Sequence, residues 1–149
     1  MRDTAKILII DDDETIRKTF AIILEESGYI VDTAKTGKEA IDKSHKNFYN
    51  VALIDIRLPD MEGTKILTAL EETTPRMVKI IVTGFPSLRN AVEAVNKGAD
   101  AYVLKPPNIK EFLEMLKEHL KKQDQEKQFT EERVADFIQR RIAQIEKEQ

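Results

Sequence analysis

Cysteine is absent from the 149 residues, which excludes disulfides, thiolate metal sites and cysteine nucleophiles. Histidine is scarce: His45 and His119 stand in unrelated contexts, on what read as solvated helix faces, so nothing points to a histidine-based zinc site. There is no long uncharged apolar run, and at a mean hydropathy of −0.43 the sequence offers no membrane span. The amino terminus lacks the basic, apolar and small-residue regions of a signal peptide. Positive charge is not in excess, and a net charge of −3 argues against direct nucleic-acid binding by this chain. What is present is 41% hydrophobic and 34% charged residues, a balance that suits one good core. The expectation is a soluble, cytoplasmic, single-core protein without membrane contact.

Short apolar runs alternate with amphipathic stretches. Residues 7–10, 30–34, 51–54, 80–82 and 101–104 read as five strands, and the first, third and fourth are nearly continuous in Ile, Leu and Val. Such continuity is expected when helices cover both faces of a parallel sheet. Thr36 with Glu39 forms a capping box, and Asn108 with Glu111 a similar one, while Gly28 and Gly98 sit where helices would close. Five strands alternating with five helices imply right-handed crossovers and a doubly wound α/β sheet, flavodoxin-like, in strand order 2-1-3-4-5.

That core is expected to span residues 1–122. Residues 123–149 read as a polar stretch, either linker or solvated continuation of the last helix, followed by an amphipathic helical tail. Thr130 looks like its N-cap, Phe129 and Val134 like a hydrophobic staple, and Val134, Phe137, Ile138, Ile142 and Ile145 form one apolar stripe. The tail reads equally well as packing on its own domain or as a dimerising helix leading to an output module.

Function in an open α/β sheet belongs at the carboxyl ends of the strands, beside the topological switch point. Here strand 1 ends in Asp11-Asp12-Asp13, strand 3 in Asp55, strand 4 in Thr83 and strand 5 in Lys105-Pro106. The proposed order brings these groups to one edge. Two carboxylates about 5 Å apart repel by roughly 3 kcal/mol at an effective dielectric near 20. A divalent cation removes that penalty, and an all-oxygen set suits Mg²⁺. Taken singly, Thr83 also suits a strand end, Lys105 a solvated loop and Tyr102 an amphipathic strand; Asp13 suits a helix cap better than a metal.

At these residues the sequence resembles the receiver domains of two-component response regulators. The motifs are Ile7-Leu8-Ile9-Ile10-Asp11-Asp12-Asp13, Asp55 through Gly63, Val82-Thr83-Gly84 and Gly98 through Pro106, in order over about residues 4–121. The resemblance implies that Asp55 accepts a phosphoryl group from a sensor histidine kinase. It implies Mg²⁺ on Asp11, Asp12, Asp55 and the Arg57 backbone carbonyl, and Lys105 holding the phosphoryl group ahead of a cis bond to Pro106. Thr83 and Tyr102 would be the switch pair, with Tyr102 turning inward as Thr83 moves. The switched face would be helix 4, strand 5 and helix 5, a place for a partner or a second copy; the tail helix is the other place for a homodimer. Ile16, Arg17, Phe20 and Leu24 of helix 1 are expected to help select the kinase, and bulky Phe85 with Arg57 to slow phosphate loss. Apart from Mg²⁺-dependent self-phosphorylation and self-dephosphorylation, no enzyme activity is implied. The alternative is a pseudo-receiver, an interaction module that is never phosphorylated. An aspartate phosphatase would need a second Asp where Arg57 stands.

Overall fold

The computed structural model describes residues 4–148. Five strands, β1 (Lys6–Ile10), β2 (Ile30–Ala34), β3 (Val51–Ile54), β4 (Val78–Thr83) and β5 (Ala101–Leu104), alternate with five helices. These are α1 (Glu14–Glu26), α2 (Gly37–Lys46), α3 (Gly63–Ala69), α4 (Leu88–Asn96) and α5 (Ile109–Lys147). All pairings are parallel and the order is β2-β1-β3-β4-β5, as the doubly wound reading requires.

Each face of the sheet buries one set of alternating side chains. Ile7, Ile9, Leu53 and Ile80 meet Phe20 and Leu24 of α1 and Phe112 and Leu116 of α5. The Phe20 and Phe112 rings meet edge to face at 5.7 Å. On the other face Leu8, Ile10, Ile54 and Ile81 pack beneath Ala40, Ile66, Leu67 and Ala94. Because α1 turns Arg17, Phe20 and Leu24 inward, these three are buried, which removes them as a kinase-reading surface. Ile22, on the opposite side of α1, is the large apolar residue that it exposes.

The helix ends follow the punctuation of the sequence. Asp13 accepts from the Ile16 N–H at 3.1 Å, Thr36 from Glu39 at 3.1 Å and Asn108 from Glu111 at 3.1 Å. Gly28 and Gly98 close α1 and α4 at φ +94°, where a side chain would be strained. β4 begins two residues earlier than its apolar run, because Val78 and Lys79 pair with Val51 and Ala52.

The carboxyl-terminal segment differs most from expectation. The polar stretch is continuation rather than linker: α5 runs unbroken for 39 residues, about 58 Å. Thr130 does not cap a new helix, since its hydroxyl donates to the Glu126 carbonyl at 2.9 Å. Residues 121–128 are almost all Lys, Gln and Glu, with neither Gly nor Pro, so nothing in them breaks a helix. Gln123 is buried and anchors α5 to the domain. Its amide donates to the carbonyls of Asn50 (2.9 Å) and Arg76 (2.8 Å) and accepts from the Asn50 side chain (3.0 Å).

Lys79 lies buried on the α2–α3–α4 face, its ammonium donating to the Leu67 carbonyl at 2.7 Å. Burial, reinforced by the nearby Arg76 guanidinium, pulls its pKa below the ordinary 10.5. The folded protein therefore releases this proton at lower pH than the unfolded chain does, and in that window stability rises with pH. Lys79→Met is expected to lose this rise, seen as a smaller gain in urea midpoint as pH climbs toward 10.5. An unchanged gain would show that Lys79 ionises normally.

Candidate functional site

β1 and β3 are hydrogen-bonded neighbours in register, Ile10 opposite Ile54, so the residues that follow them emerge side by side. The Asp55 N–H donates to the Ile10 carbonyl at 2.9 Å, and the Asp11 N–H to the Ala34 carbonyl at 3.1 Å. Carboxylate oxygens of Asp11, Asp12 and Asp55 lie within 4.8 Å of one another; Asp11 and Asp55 are buried and Asp12 is exposed. Lys105, delivered by β5, extends its ammonium to Asp11 Oδ2 at 2.5 Å and to Asp55 Oδ2 at 3.5 Å. Its peptide bond to Pro106 is cis, as the resemblance implied.

Charge is unbalanced at this edge, with three carboxylates around one ammonium. Burial is the main cause that raises the Asp55 pKa above the ordinary carboxylate value; Lys105 opposes it, Asp11 adds to it, and the Arg57 backbone N–H opposes it again. Asp55 Oδ1 is buried without a hydrogen-bond partner among the described residues. An orphaned carboxylate oxygen beside two further carboxylates is the donor set of a hard cation, so the residues present fit a Mg²⁺-type ion.

The surroundings hold these groups in place. Asp11 Oδ1 accepts from the Asp13 N–H at 2.9 Å, and Arg17 Nη1 donates to the Asp11 carbonyl at 2.8 Å. Thr83 is fully buried at the end of β4, its hydroxyl accepting from the Phe85 N–H at 3.0 Å and its carbonyl from the Lys105 N–H at 2.8 Å. The Tyr102 ring packs against the Leu8 cluster, and its hydroxyl is buried without a partner among the described residues. The ring is thus already inward, and the structure shows one arrangement of the pair rather than a movement. The Arg57 guanidinium lies over the exposed Phe85 ring, 3.9 Å from its centroid, so the two residues meet at the rim of the site.

Two supports were not legible in the sequence. Asp60 reaches across to the first turn of α2 and accepts the N–H groups of Gly37 and Lys38, each at 2.9 Å, which holds its carboxyl below the usual range. Asp60 follows Asp55 by five residues and precedes no helix directly, so only the tertiary fold shows what it caps. Gly63 packs so tightly that a Cβ there would stand 2.0 Å from the Asp55 carbonyl oxygen. Its N–H donates to the Ile56 carbonyl at 2.7 Å.

A family model described as the response regulator receiver domain matches residues 7–117. The chain belongs to this family. A crystal structure of a CheY-like response regulator receiver domain protein from Methanospirillum hungatei is 46% identical, with a TM-score of 0.79 over 83% of this chain and 99% of that one. A response regulator from Burkholderia pseudomallei, solved with a phosphorylated aspartic acid and a calcium ion, is 30% identical. Its TM-score is 0.67, over 73% of this chain and 64% of that one. The transcriptional regulatory protein SrrA of Staphylococcus aureus is 32% identical over 78% of this chain and 48% of its own length. The chain spans about half the length of the curated relatives it matches. These relatives are response regulators rather than classical enzymes, and the acidic cluster fits a receiver-domain metal site. A relative named as a transcriptional regulator gives no support to the expectation that this chain does not bind nucleic acid directly. No described helix is long and apolar enough to cross a membrane.

Gly63→Ala is expected to cost about 1–3 kcal/mol in urea unfolding, because its methyl group must displace either α3 or the Asp55 backbone. A variant as stable as the parent would show that this contact yields freely.

Proposed function

We propose that the chain is a phosphoacceptor receiver, in which Asp55 takes a phosphoryl group from a sensor histidine kinase. The observation that carries this reading is the Asp55 carboxylate: Oδ1 is buried and without a partner among the described residues, Oδ2 lies 3.5 Å from the Lys105 ammonium, and the Asp11 and Asp12 carboxylates stand beside it. The bond from phosphorus to the donor nitrogen breaks as the bond to an Asp55 oxygen forms. Asp55 must attack as the carboxylate, and Lys105 then bonds the transferred phosphoryl oxygens as a point charge. Asp11, Asp12, Asp55 and the Arg57 carbonyl would hold Mg²⁺, which supplies charge neutralisation between the site and an incoming phosphoryl group. The phosphorylated aspartic acid and calcium ion of the Burkholderia regulator support this assignment by similarity.

Thr83 and Tyr102 form the switch. Phosphorylation biases the pair toward a hydroxyl bonded to the phosphoryl group and an inward ring. The face they control carries exposed Leu88, Val92 and Val95 on α4 and Leu104 on β5, apolar positions suited to a partner or second copy. Arg57 stacked on Phe85 covers the rim and slows water attack. The receiver body is assigned to residues 1–122 and the tail to 123–149; the exposed part of α5 beyond Asp124 carries the signal outward. The setting is cytoplasmic, and the chemistry is limited to gain and loss of its own phosphoryl group.

Intact mass after incubation with Mg²⁺ and acetyl phosphate tests the assignment. One phosphoryl adduct is expected in the parent, with none in Asp55→Ala or in chelator, and faster decay of the adduct in Phe85→Asn. An adduct that persists in Asp55→Ala would contradict the reading, and no adduct on protein that also fails to bind beryllofluoride would favour the pseudo-receiver.

A further inference from the structure

All residues from Gln125 to Glu148, the C-cap of α5, are exposed, a projection of about 36 Å. Along it Val134, Phe137, Ile138, Ile142 and Ile145 are 53%, 70%, 51%, 51% and 42% exposed. Helices in water owe most of their stability to packing of an apolar face, and this face is left exposed by the described residues.

The stripe has an internal symmetry. Lys127, Glu131, Val134, Ile138, Arg141 and Ile145 follow one another at spacings of four and three residues, the seam of a helix pair. In a parallel, in-register pair, Lys127, Glu131 and Arg141 would each face their own copies, placing like charges at three of six seam positions. Reversing one helix about residue 136 changes every contact. Glu131 then faces Arg141, Val134 faces Ile138, and both matches recur across the two-fold axis. Phe137 lies beside that axis and meets its own copy. Lys127 faces Ile145, with its ammonium at the carboxyl end of the other helix, where Glu148 and the terminal carbonyls are negative.

We propose that the α5 projection pairs antiparallel with that of a second copy of this chain, on a two-fold axis passing beside residue 136. A contact about 36 Å long between helices some 10 Å across buries roughly 500 Å² per copy, near the lower limit for a stable interface. A groove of about 920 Å³ at the root of the projection adds to it. It is lined by Tyr29, Ile30, Phe48, Leu120, Lys121 and Lys127, and the antiparallel arrangement brings the second copy's last helical turn to its mouth. The pairing is independent of the chemistry at Asp55.

Sedimentation equilibrium of the full chain without phosphodonor, over about 1–500 µM, tests this. A reversible monomer–dimer equilibrium is expected. Glu131→Arg and Arg141→Glu should each raise the dissociation constant at least tenfold, and the double exchange should return it to within about threefold. Circular dichroism confirms that each variant keeps its helix. A 17.1 kDa species throughout, or a double exchange no tighter than the single ones, would overturn the proposal. The absence of cysteine allows one nitroxide on Glu146→Cys. Antiparallel helices hold the two labels at least about 30 Å apart, and a distance near 15 Å would show parallel pairing instead.

Discussion

Three carboxylates from two neighbouring strand ends share one ammonium, and much of the surrounding structure answers to that imbalance. Lys105 reaches Asp11 at 2.5 Å and Asp55 at 3.5 Å, but it cannot neutralise both together with Asp12. At an effective dielectric near 20 each close carboxylate pair costs a few kcal/mol, comparable with a large share of a small domain's stability. The fold tolerates this because the strands beneath are fixed. Ile10 and Ile54 are in register and buried in the same core face, so Asp11 and Asp55 cannot move apart without opening the β1–β3 ladder.

Rigidity is supplied from several directions. Arg17 bonds the Asp11 carbonyl from α1, Gly63 presses α3 against the Asp55 backbone, and Asp60 ties the intervening loop to α2. At the opposite end of the sheet, Gln123 joins α5 to the residues that lead into β3 and β4. α5 is therefore fixed to the strand that carries Asp55 and to the strand that carries Thr83.

Much of this was legible in the sequence, for physical reasons. Continuous Ile-Leu-Val runs indicated buried parallel strands, and the strand order placed Asp11, Asp12, Asp55, Thr83 and Lys105 on one edge. What escaped was whatever depends on distant partners. Lys79 hid the start of β4, because a lysine in a strand is read as exposed unless its partner, the Leu67 carbonyl, is known. Arg17 looked like a surface residue for the same reason. Thr130 with Glu131 and Glu132 has the composition of a helix start, yet composition cannot tell a new helix from the middle of an old one. The run of helix formers before it decided the outcome.

The carboxylate cluster has the donor set to hold a divalent cation. Thermal unfolding with and without Mg²⁺, in the parent and in Asp12→Ala, tests it most directly, since Asp12 is exposed and its loss should not disturb the core. At a Mg²⁺ concentration a hundredfold above the dissociation constant, binding adds about 2.7 kcal/mol, which raises the parent's midpoint by several degrees. That rise is expected in the parent, with a much smaller one in Asp12→Ala. An equal response in both proteins, or none in the parent, would contradict it.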